Sequence, residues 1–308
     1  MSRPKHGVPR PAPAAGPDGR PAVGRGNTGV VHVHATPGPE STACRSWYLP
    51  APRPGHREDL RTDRPTSARL ANLTLGGKDH LPPDRNLLDL LRTEDTGWST
   101  ATGQARQLLH RAVRRLAEDG LDQFADLGCG LTTGMPESPL APIHTSVLPI
   151  RPAARIVYVD ADPIVMTHAR ALLRAPAPAQ ISHIRGDLTS PPGLLRVLRR
   201  HSDLDWQRPV AVILADVLHE LTDPQAHGLL AALRPVLPRG SVLVLSHRCP
   251  GNGERDARVA DLFAQSRLPW HPRGRDAVDT LLDGWKPGPS DGGDPAGIRT
   301  VVAYGGTK

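Results

Sequence analysis

Short apolar runs alternate with amphipathic stretches along the chain after residue 120. The apolar runs, each typical of a buried strand, are Gln123–Leu127, Arg155–Val159, Ile181–Ile184, Val210–Leu214, Val242–Leu245 and Thr300–Tyr304. The stretches with helical spacing are Pro163–Leu173, Leu194–Arg200, Gln225–Val236 and Glu254–Gln265. Strands that alternate with helices form a mostly parallel sheet covered on both faces. The pattern therefore predicts an α/β fold, with a loop at residues 286–296 before the last strand.

The strongest helical pattern precedes the first strand, at residues 102–119. Its apolar positions recur three and four residues apart, as on a helix with one buried face. Gly120 follows, and glycine commonly ends a helix at this position. A shorter helix is predicted over residues 84–91. We expect residues 61–120 to form a helical N-terminal cap on a core of residues 121–308.

Residues 1–60 differ from the rest of the chain in composition. They contain eleven Pro and eight Gly, with eight basic and four acidic side chains. Such a segment buries too little apolar surface to offset the entropy lost on ordering. We therefore predict a disordered tail, with a basic arm that contacts an anionic partner as the alternative.

The charge of the chain changes the picture little. The net charge is +7, and more than half of it falls in the predicted tail. A nucleic-acid-binding protein would carry a concentrated basic face, and aromatic residues for stacking on bases are only 3% of the chain. No nucleic-acid partner is expected.

Three cysteines without a CxxC spacing predict neither a disulfide framework nor a metal site. No apolar stretch approaches the roughly 18 residues of a membrane helix, and the N-terminus lacks the apolar region of a secretory signal. We expect a cytoplasmic protein without a membrane partner. The sequence does not indicate an oligomeric state.

The first motif that suggests chemistry ends the first predicted strand, at Asp126-Leu-Gly128-Cys-Gly130. Glycines permit a tight turn and the close approach of a ligand to the backbone. Open α/β sheets bind ligands at the carboxyl ends of strands, where the strand order reverses. We therefore assign Asp126, Gly128 and Gly130 to a cofactor site, and interpret Cys129 as a small loop residue.

Two further acidic positions follow the second and third predicted strands. Asp160 can accept hydrogen bonds from both hydroxyls of a ribose. Asp187, with Leu188, is predicted to lie beside an adenine, and an ordinary Gly-Asp turn is the alternative. Asp162, directly before a proline, is interpreted as a helix N-cap.

Two nucleoside cofactors fit this series, a dinucleotide and S-adenosylmethionine. The dinucleotide fingerprint G-x-G-x-x-G opens a helix that binds pyrophosphate. Here the third glycine, Gly134, comes one place late, and three prolines follow within eight residues. A carboxylate near the glycines suits the cationic sulfonium of S-adenosylmethionine. An NAD(P)-dependent oxidoreductase remains the alternative.

These residues resemble a known family. Asp126-Leu-Gly-Cys-Gly130 resembles the first motif of class I S-adenosylmethionine-dependent methyltransferases. The segment Ala68-Arg-Leu-Ala-Asn-Leu-Thr-Leu-Gly-Gly-Lys-Asp-His80 is similar to the N-terminal signature of a bacterial methyltransferase family abundant in actinobacteria, close to A-R-x-x-D-Y-x-L-G-G-K-D-N. Further similar blocks follow in the same order, namely Asp84-Arg85, Arg155–Pro163, Val212–His219, Gly240–His247 and Tyr304–Gly306. The resemblance covers about residues 63–306.

The resemblance implies a Rossmann-like class I methyltransferase with S-adenosyl-L-methionine as cofactor. The expected activity is methyl transfer to an oxygen or nitrogen of a small-molecule acceptor. The resemblance also implies that the N-terminal signature lies near the cofactor or acceptor pocket, through Gly76, Gly77, Lys78 and Asp79.

The chain departs from the family pattern in three places. Asn72-Leu73 replaces an Asp-Tyr pair, and His80 replaces an asparagine. The segment at residues 135–143 is proline-rich and looks about six residues longer than in the family. These departures keep open a non-catalytic binding or regulatory protein on the same fold.

Methyl transfer to a hydroxyl or amine needs a base near the acceptor. His219 and Asp216 follow the fourth predicted strand, at the edge of the sheet where the ligand is expected, and are the candidate catalytic residues. His247, after the fifth strand, is a weaker candidate. The alternative for each histidine is a purely structural role.

Overall fold

A computed structural model describes residues 59–136, 138–249, 253–288 and 298–305, together with the backbone of Trp47–Tyr48. Eight strands of these residues form one sheet, in the order β1-β4-β3-β2-β5-β6-β8-β7. The strands are β1 (Trp47–Tyr48), β2 (Gln123–Leu127), β3 (Arg155–Asp160), β4 (Gln180–Arg185), β5 (Ala211–Ala215), β6 (Ser241–Arg248), β7 (Lys286–Pro287) and β8 (Ile298–Gly305). Strands β1 to β6 are parallel, and β8 and β7 pair antiparallel at one edge.

Helices connect the parallel strands. Those of the described residues are α1 (Ser67–Thr74), α2 (Pro82–Glu94), α3 (Trp98–Glu118), α4 (His144–Val147), α5 (Pro163–Leu172), α6 (Pro191–His201), α7 (Asp223–Leu233), α8 (Glu254–Gln265) and α9 (Arg275–Leu281). The chain also forms 3-10 turns at Leu218–Glu220 and Arg234–Val236. The predicted α/β fold with a mostly parallel, Rossmann-like sheet is confirmed, and the strand order reverses beside β2.

Some element ends differ from the sequence prediction because tertiary contacts extend the elements. Helix α3 begins at Trp98 rather than at residue 102, since the Trp98 ring packs near the rings of Phe263 and Trp270. Strand β6 continues to Arg248 along its antiparallel partner β8. His247 therefore lies inside a strand, not after one.

Other ends follow local chemistry. Helix α2 is longer than the predicted 84–91, because prolines pre-organise its first turn. Helix α7 ends before the predicted Val236, where Pro235 cannot donate a helical hydrogen bond and the chain continues as a 3-10 turn. The predicted loop at 286–296 is wrong at its first two residues, which form β7.

Helices cover both faces of the sheet. On one face Phe124 of β2 belongs to an apolar cluster with Val113 of α3 and Met166 of α5. On the other face Leu127 belongs to a cluster with residues of α6 and α7, among them Leu229. Successive residues of β2 thus point to opposite layers, which is why the strand reads as continuously apolar.

The cap helices α1 and α2 join the rest of the molecule through a third apolar cluster, which includes Leu70 and Leu88 together with Val259 and Phe263 of α8. The cap is thus completed by a helix from the C-terminal third of the chain. This pairing of distant segments has no signature in the local pattern.

A buried carboxylate fixes the two cap helices to each other. Asp84 of α2 is fully buried and accepts a hydrogen bond from Arg69 Nε of α1 at 2.8 Å. It also accepts from the backbone N–H groups of Leu81 at 2.7 Å and Thr66 at 3.1 Å. Asp84, in the block that follows the N-terminal signature, therefore has a structural role.

Trp47–Tyr48 lies within the predicted tail, and its backbone pairs with β4 at the sheet edge. The other residues of that predicted tail up to 58 lie outside the described residues. Across the described part of the chain, no helix combines the length and the apolar character needed to cross a bilayer.

Candidate functional site

The carboxyl ends of β2, β3 and β5 meet at one edge of the sheet, beside the reversal of strand order. Gly128 follows β2, Asp160 ends β3 and Asp216 follows β5. Open α/β sheets bind ligands at this position. The candidate site is built around these three residues.

The two glycines after β2 differ in their surroundings. Gly128 has φ +79° and Gly130 has φ +61°, a region that side chains rarely adopt. A Cβ on Gly128 would lie 2.6 Å from Val217 Cγ2, so the loop packs tightly on the chain that follows β5. A Cβ on Gly130 would meet no described atom within 4 Å. The loop is thus supported on one side and open on the other, where a ligand can approach its backbone.

Asp160 is held in place by backbone donors. Its carboxylate accepts from the N–H of Gly130 at 3.0 Å and from the N–H of Asp162 at 2.9 Å. Burial raises the pKa of Asp160 to about 6, although these hydrogen bonds oppose the shift. Asp162 in turn accepts from the N–H of Ile164 at 2.8 Å, which confirms the interpretation of Asp162 as the N-cap of α5.

Asp126 lies within β2, not after it, and is 1% exposed. Its Oδ2 atom is buried without a hydrogen-bond partner among the described residues. Burial raises the pKa of Asp126 to about 6, Arg106 opposes the shift and Asp160 adds to it. A buried carboxylate with an unpaired oxygen is costly unless a cation or a hydrogen-bond donor binds there.

Sequence reasoning missed Glu220, which ends the 3-10 turn after β5. Burial raises the pKa of Glu220 to about 7, Asp160 adds to the shift, and a hydrogen bond with Ser67 and the charge of Arg61 oppose it. Glu220 is therefore a third carboxyl group near Asp160, and it contacts the cap. Its only signal in the sequence is its place directly after His219.

The N-terminal signature contacts the glycine loop through Asn72. This side chain is 1% exposed, its amide donates to the backbone oxygen of Leu131 at 3.2 Å, and its Oδ1 accepts from the N–H of Asp79 at 2.9 Å. The N–H of Gly77 donates to the Asn72 backbone oxygen at 2.8 Å. A Cβ on Gly77 would lie 2.2 Å from Asn72 Oδ1, so only glycine fits.

Asp79 adds a second contact between the cap and the core. Its Oδ2 accepts from the Thr133 hydroxyl at 2.9 Å, and its Oδ1 lies 3.7 Å from Nε2 of His168 on α5. Gly76 has φ +84°, as this turn requires, and Lys78 is exposed. The four signature residues therefore form a turn that is fixed beside the glycine loop.

The two residues predicted beside an adenine have local roles in the structure. Asp187 is exposed and accepts from the N–H and the hydroxyl of Thr189, at 2.8 Å and 2.7 Å. Leu188 belongs to the apolar cluster of one sheet face. These contacts match the ordinary turn that was the alternative, and a role with the cofactor stays a prediction.

Cys129 is buried between the two glycines, and burial raises the pKa of its thiol further above its usual range. The thiol is thus protonated and enclosed at neutral pH. This environment agrees with a small packing residue and not with a nucleophile.

Asp216 has an unusual backbone. Its φ of +51° is strained for a residue with a side chain. Its N–H donates to both the backbone oxygen and Oγ of Ser246, each at 3.0 Å. The Oδ1 atom is buried without a described partner. Burial raises the pKa of Asp216, while Arg248 and the hydrogen bond with Ser246 oppose the shift.

His219 and His247 stack on each other, with ring centroids 6.0 Å apart. Trp270 lies against His219 at a centroid distance of 4.6 Å. Nδ1 of His219 and both ring nitrogens of His247 are buried without described partners. Burial lowers the pKa of His247 to about 4 and that of His219 well below its usual value. Both imidazoles are therefore neutral at pH 7.

We call Asp216, His219, His247, Arg248 and Trp270 the β5–β6 cluster. It lies beside the glycine loop, because Val217 follows Asp216 and contacts Gly128. Sequence reasoning found its two histidines and Asp216 but missed its aromatic wall, since Trp270 joins the cluster from a segment far along the chain. The aromatic rings gathered here are those of Trp98, Phe263 and Trp270.

Arg248 is fixed by four contacts. Its guanidinium lies 3.8 Å from the centroid of the Trp98 ring, and its Nη2 donates to the Trp98 oxygen at 3.3 Å and to Thr102 Oγ1 at 2.9 Å. Its Nη1 lies 3.9 Å from Asp95 Oδ2. Arg248 thus joins α3 to β6 and places a positive charge beside Asp216.

The residues present fit a nucleoside that carries a positive charge. The open backbone at Gly130 offers a surface for such a ligand, and the unpaired Oδ2 of Asp126 offers a negative charge. A pyrophosphate would face carboxylates instead of a helix N-terminus, since the next helix of the described chain is the four-residue α4. The open backbone and the carboxylates therefore favour S-adenosylmethionine over a dinucleotide.

Comparisons with known proteins agree with this chemistry. Residues 53–288 match the model of a family described as S-adenosyl methyltransferase. Among solved structures, a DUF574 family protein from Streptomyces avermitilis is 28% identical, with a TM-score of 0.71 over 80% of this chain and 100% of that chain. A candidate methyltransferase from Thermobifida fusca is 27% identical, with a TM-score of 0.70 over 80% of this chain and 97% of that chain.

No curated protein matches the chain at the significance required in these comparisons. The family match covers most of the chain, including the cap, the glycine loop and the β5–β6 cluster. The implied cofactor, S-adenosyl-L-methionine, agrees with the geometry of the site. The chain belongs to the S-adenosyl methyltransferase family and is an S-adenosylmethionine-dependent methyltransferase.

Proposed function

We propose that the enzyme moves a methyl group to an oxygen or nitrogen of a small-molecule acceptor that binds at the β5–β6 cluster. The observation that carries this proposal is the set of buried, unpaired polar atoms on Asp216, His219 and His247, adjacent to the glycine loop. Buried polar groups normally have partners. An acceptor would supply partners for Asp216 and His219, which are half-buried.

We infer that S-adenosylmethionine, the methyl donor, lies along the glycine loop. Gly128 and Gly130 would let it approach the backbone, and Asp126 would face its positive charge. Asp160, already fixed by two backbone donors, would accept from the ribose. The turn at residues 76–79 would close the site, and Asp187 with Leu188 would border the adenine.

When bound, the donor supplies a methyl group that its sulfonium has already activated. The protein then has to orient the acceptor and keep water away. His219 is half-buried and neutral, so its ring can accept the proton of a hydroxyl or an amine. Asp216 is the alternative base, with an unpaired oxygen in the same cluster.

Calorimetry with the purified full chain tests this proposal. We expect S-adenosylmethionine and its demethylated product to bind with micromolar affinity and NAD to show no binding at the same concentrations. Asp160→Asn should weaken both nucleosides about tenfold, equivalent to about 1.4 kcal/mol. Asp63→Asn, an exposed change in the cap, is the matched control. Equal binding of NAD, or full affinity in Asp160→Asn, would contradict the assignment.

A further inference from the structure

Several polar atoms of the β5–β6 cluster are buried without a hydrogen-bond partner among the described residues. These are one oxygen of Asp216 and three ring nitrogens of His219 and His247. Each unsatisfied buried polar group destabilises the folded chain. Asp216 and His219 are half-buried, whereas His247 is fully buried, so a hydrogen-bonding head of the acceptor would pair with Asp216 or His219.

An aromatic wall borders the same atoms. Trp270 is half-buried and stacks on Phe263, with ring centroids 4.3 Å apart and an angle of 15° between the rings. Trp270 also packs on His219 and on Trp98, at 4.6 Å and 5.8 Å. Stacked aromatic rings favour flat, apolar partners with offset or edge contacts. The body of the acceptor should therefore be planar.

The segment that carries Trp270 is fixed to the turn after β5. Arg273 is 5% exposed, and its guanidinium donates to the backbone oxygens of Leu218 at 2.8 Å and Leu221 at 2.6 Å. The N–H of His271 donates to the His219 oxygen at 2.7 Å. Trp270 and His219 are therefore held at a fixed distance and orientation, as a site that selects an acceptor by its shape requires.

Two guanidinium groups lie near His219, those of Arg248 and Arg273, and each also has a carboxylate partner, Asp95 for Arg248 and Asp223 for Arg273. Burial lowers the pKa of His219, and the neighbouring groups His247, Arg248, Arg273 and His271 add to the shift. Asp216 is the acidic group in the cluster. Cations beside a neutral imidazole stabilise an oxyanion in the acceptor, whereas they repel the cation that forms when an amine is methylated.

The weak basicity of these imidazoles adds a second restriction. An aliphatic hydroxyl is about as weak an acid as water. A phenol has a pKa of about 10, as in tyrosine. His219 is a weak base. Transfer of a proton to it is therefore far less unfavourable from a phenol than from an aliphatic hydroxyl, and the cluster suits an acidic hydroxyl.

We propose that the acceptor is a planar aromatic molecule with a phenol-type hydroxyl, bound against Trp270 and methylated at that oxygen. This inference rests on the proposed function. The acceptor oxygen gives its proton to His219 and forms a new bond to the methyl carbon. The methyl–sulfur bond breaks and its electron pair stays on sulfur, so the sulfonium becomes a neutral thioether.

Three probes with one carbon skeleton test the acceptor class. These are 2-naphthol, 2-naphthylamine and decahydro-2-naphthol, measured by calorimetry with the enzyme alone and with the enzyme saturated by S-adenosylhomocysteine. We expect 2-naphthol to bind about tenfold more tightly than decahydro-2-naphthol. With S-adenosylmethionine, mass spectrometry should detect the O-methyl ether of 2-naphthol and no methylated product from the other two probes.

The outcomes separate the two proposals. Binding or methylation of decahydro-2-naphthol equal to that of 2-naphthol, preference for the amine, or no binding of any probe would overturn the acceptor class. Failure of S-adenosylmethionine to bind would overturn the proposed function. The probe affinities of the enzyme alone would still decide the acceptor class in that case.

Two variants assign the roles within the cluster. Trp270→Ala should abolish the preference for the aromatic probe and leave the affinity for S-adenosylmethionine unchanged, whereas Trp270→Phe should keep the preference. His219→Gln should bind 2-naphthol within about threefold of the wild type and lose turnover at pH 7. Its turnover should recover as the pH approaches 10, where the naphthol ionises without a base. Trp206→Phe, a tryptophan at another core cluster, is the control.

Unchanged aromatic preference in Trp270→Ala would contradict the stacking role. A His219→Gln variant with the pH profile of the wild type would contradict the proton transfer. Circular dichroism of each variant identifies a failure to fold, and the conservative Trp270→Phe change keeps the stacking role testable in that event.

Discussion

At the scale of single residues, the candidate site contains unfavourable backbone conformations and carboxyl groups with raised pKa values, which the rest of the fold must stabilise. Asp216 has a positive φ although it is not glycine. Gly128 also has a positive φ, and its surroundings leave no space for a side chain. Asp126 is buried and Asp160 half-buried, and the pKa values of both carboxyl groups are raised to about 6. Such states concentrate at functional sites, where a ligand makes them useful.

Gly128→Ala tests the close contact in the glycine loop. The new Cβ would overlap Val217, so we expect at least a tenfold loss of S-adenosylmethionine affinity, measured by calorimetry. Gly120→Ala is the matched control: its φ is also positive, at +108°, and its Cβ would lie 3.7 Å from Arg151 in ordinary contact. That variant should lose about 1 kcal/mol of stability and keep its affinity. Equal affinity in both variants would contradict a ligand at the loop.

The buried carboxyl groups predict a pH dependence of donor binding. Asp126 and Asp160 have pKa values of about 6, and Glu220 has one of about 7. Their ionised forms attract the sulfonium cation, so affinity for S-adenosylmethionine should fall as the pH drops from 8 to 5. Release of S-adenosylmethionine is then coupled to the uptake of protons by these groups. Below the lowest of the three pKa values, we expect the affinity to fall about tenfold per pH unit for each such proton.

Two controls make this pH dependence specific. S-adenosylhomocysteine lacks the sulfonium charge, and its affinity should change less with pH. Glu220→Gln removes the group with the highest pKa, so its affinity should begin to fall about one pH unit lower than in the wild type. Identical profiles for the two nucleosides would indicate that the carboxylates do not face the sulfonium.

At the scale of elements, the site is assembled from segments that are distant in the chain. The turn at residues 76–79 meets the glycine loop through Asn72, and the cap helices pack on α8. The glycine loop and the acids among the last two residues of β2 and β3, Asp126 and Asp160, were found from their spacing, because strand ends fix their places. Trp270 was missed, since its position depends on where the chain runs after α8.

Asn72→Asp tests the joint between cap and loop. A carboxylate cannot donate to the Leu131 oxygen, and it would place a negative charge against that oxygen in a buried position. We expect a loss of about 1–3 kcal/mol in the free energy of unfolding, measured by urea denaturation. Asn86→Asp makes the same chemical change at an exposed position of α2 and should leave stability within about 0.5 kcal/mol. An unchanged Asn72→Asp would contradict the described hydrogen bond.

At the scale of the whole molecule, the two faces of the sheet enclose several neutral histidines. His183 is 7% exposed, donates from Nε2 to the Leu173 oxygen at 2.9 Å and stacks on Tyr158. Burial lowers the pKa of His183 to about 4, and it lowers those of His110 and His144 to about 4 as well. The unfolded chain binds these protons at higher pH than the folded chain does.

The His183→Gln variant tests this linkage. The wild-type histidine favours unfolding as the pH falls through 6.5 toward 4, because only the unfolded chain then binds the proton. Glutamine keeps a donor for Leu173 and does not titrate. Between pH 7.5 and pH 5, the variant should therefore lose up to about 2 kcal/mol less stability than the wild type, measured by urea denaturation at both pH values. His227→Gln, an exposed change on α7, should follow the wild type.

Equal losses in His183→Gln and the wild type would show that His183 keeps an ordinary pKa in the folded chain. The carboxyl groups of the site act in the opposite direction, since their raised pKa values let the folded chain bind protons first. The comparison between variant and wild type removes that contribution, because those groups are the same in both.

The sequence alone determined the layers of the molecule, the family and the position of the glycine loop, because apolar spacing and strand ends are local properties. It also placed His219 and Asp216 after a strand, at the carboxyl edge of the sheet. Only the tertiary structure decided that Glu220 contacts the cap, that His247 lies within a strand, and that Trp270 packs against His219. These facts depend on burial and on contacts between distant segments, and no local pattern of residues records them.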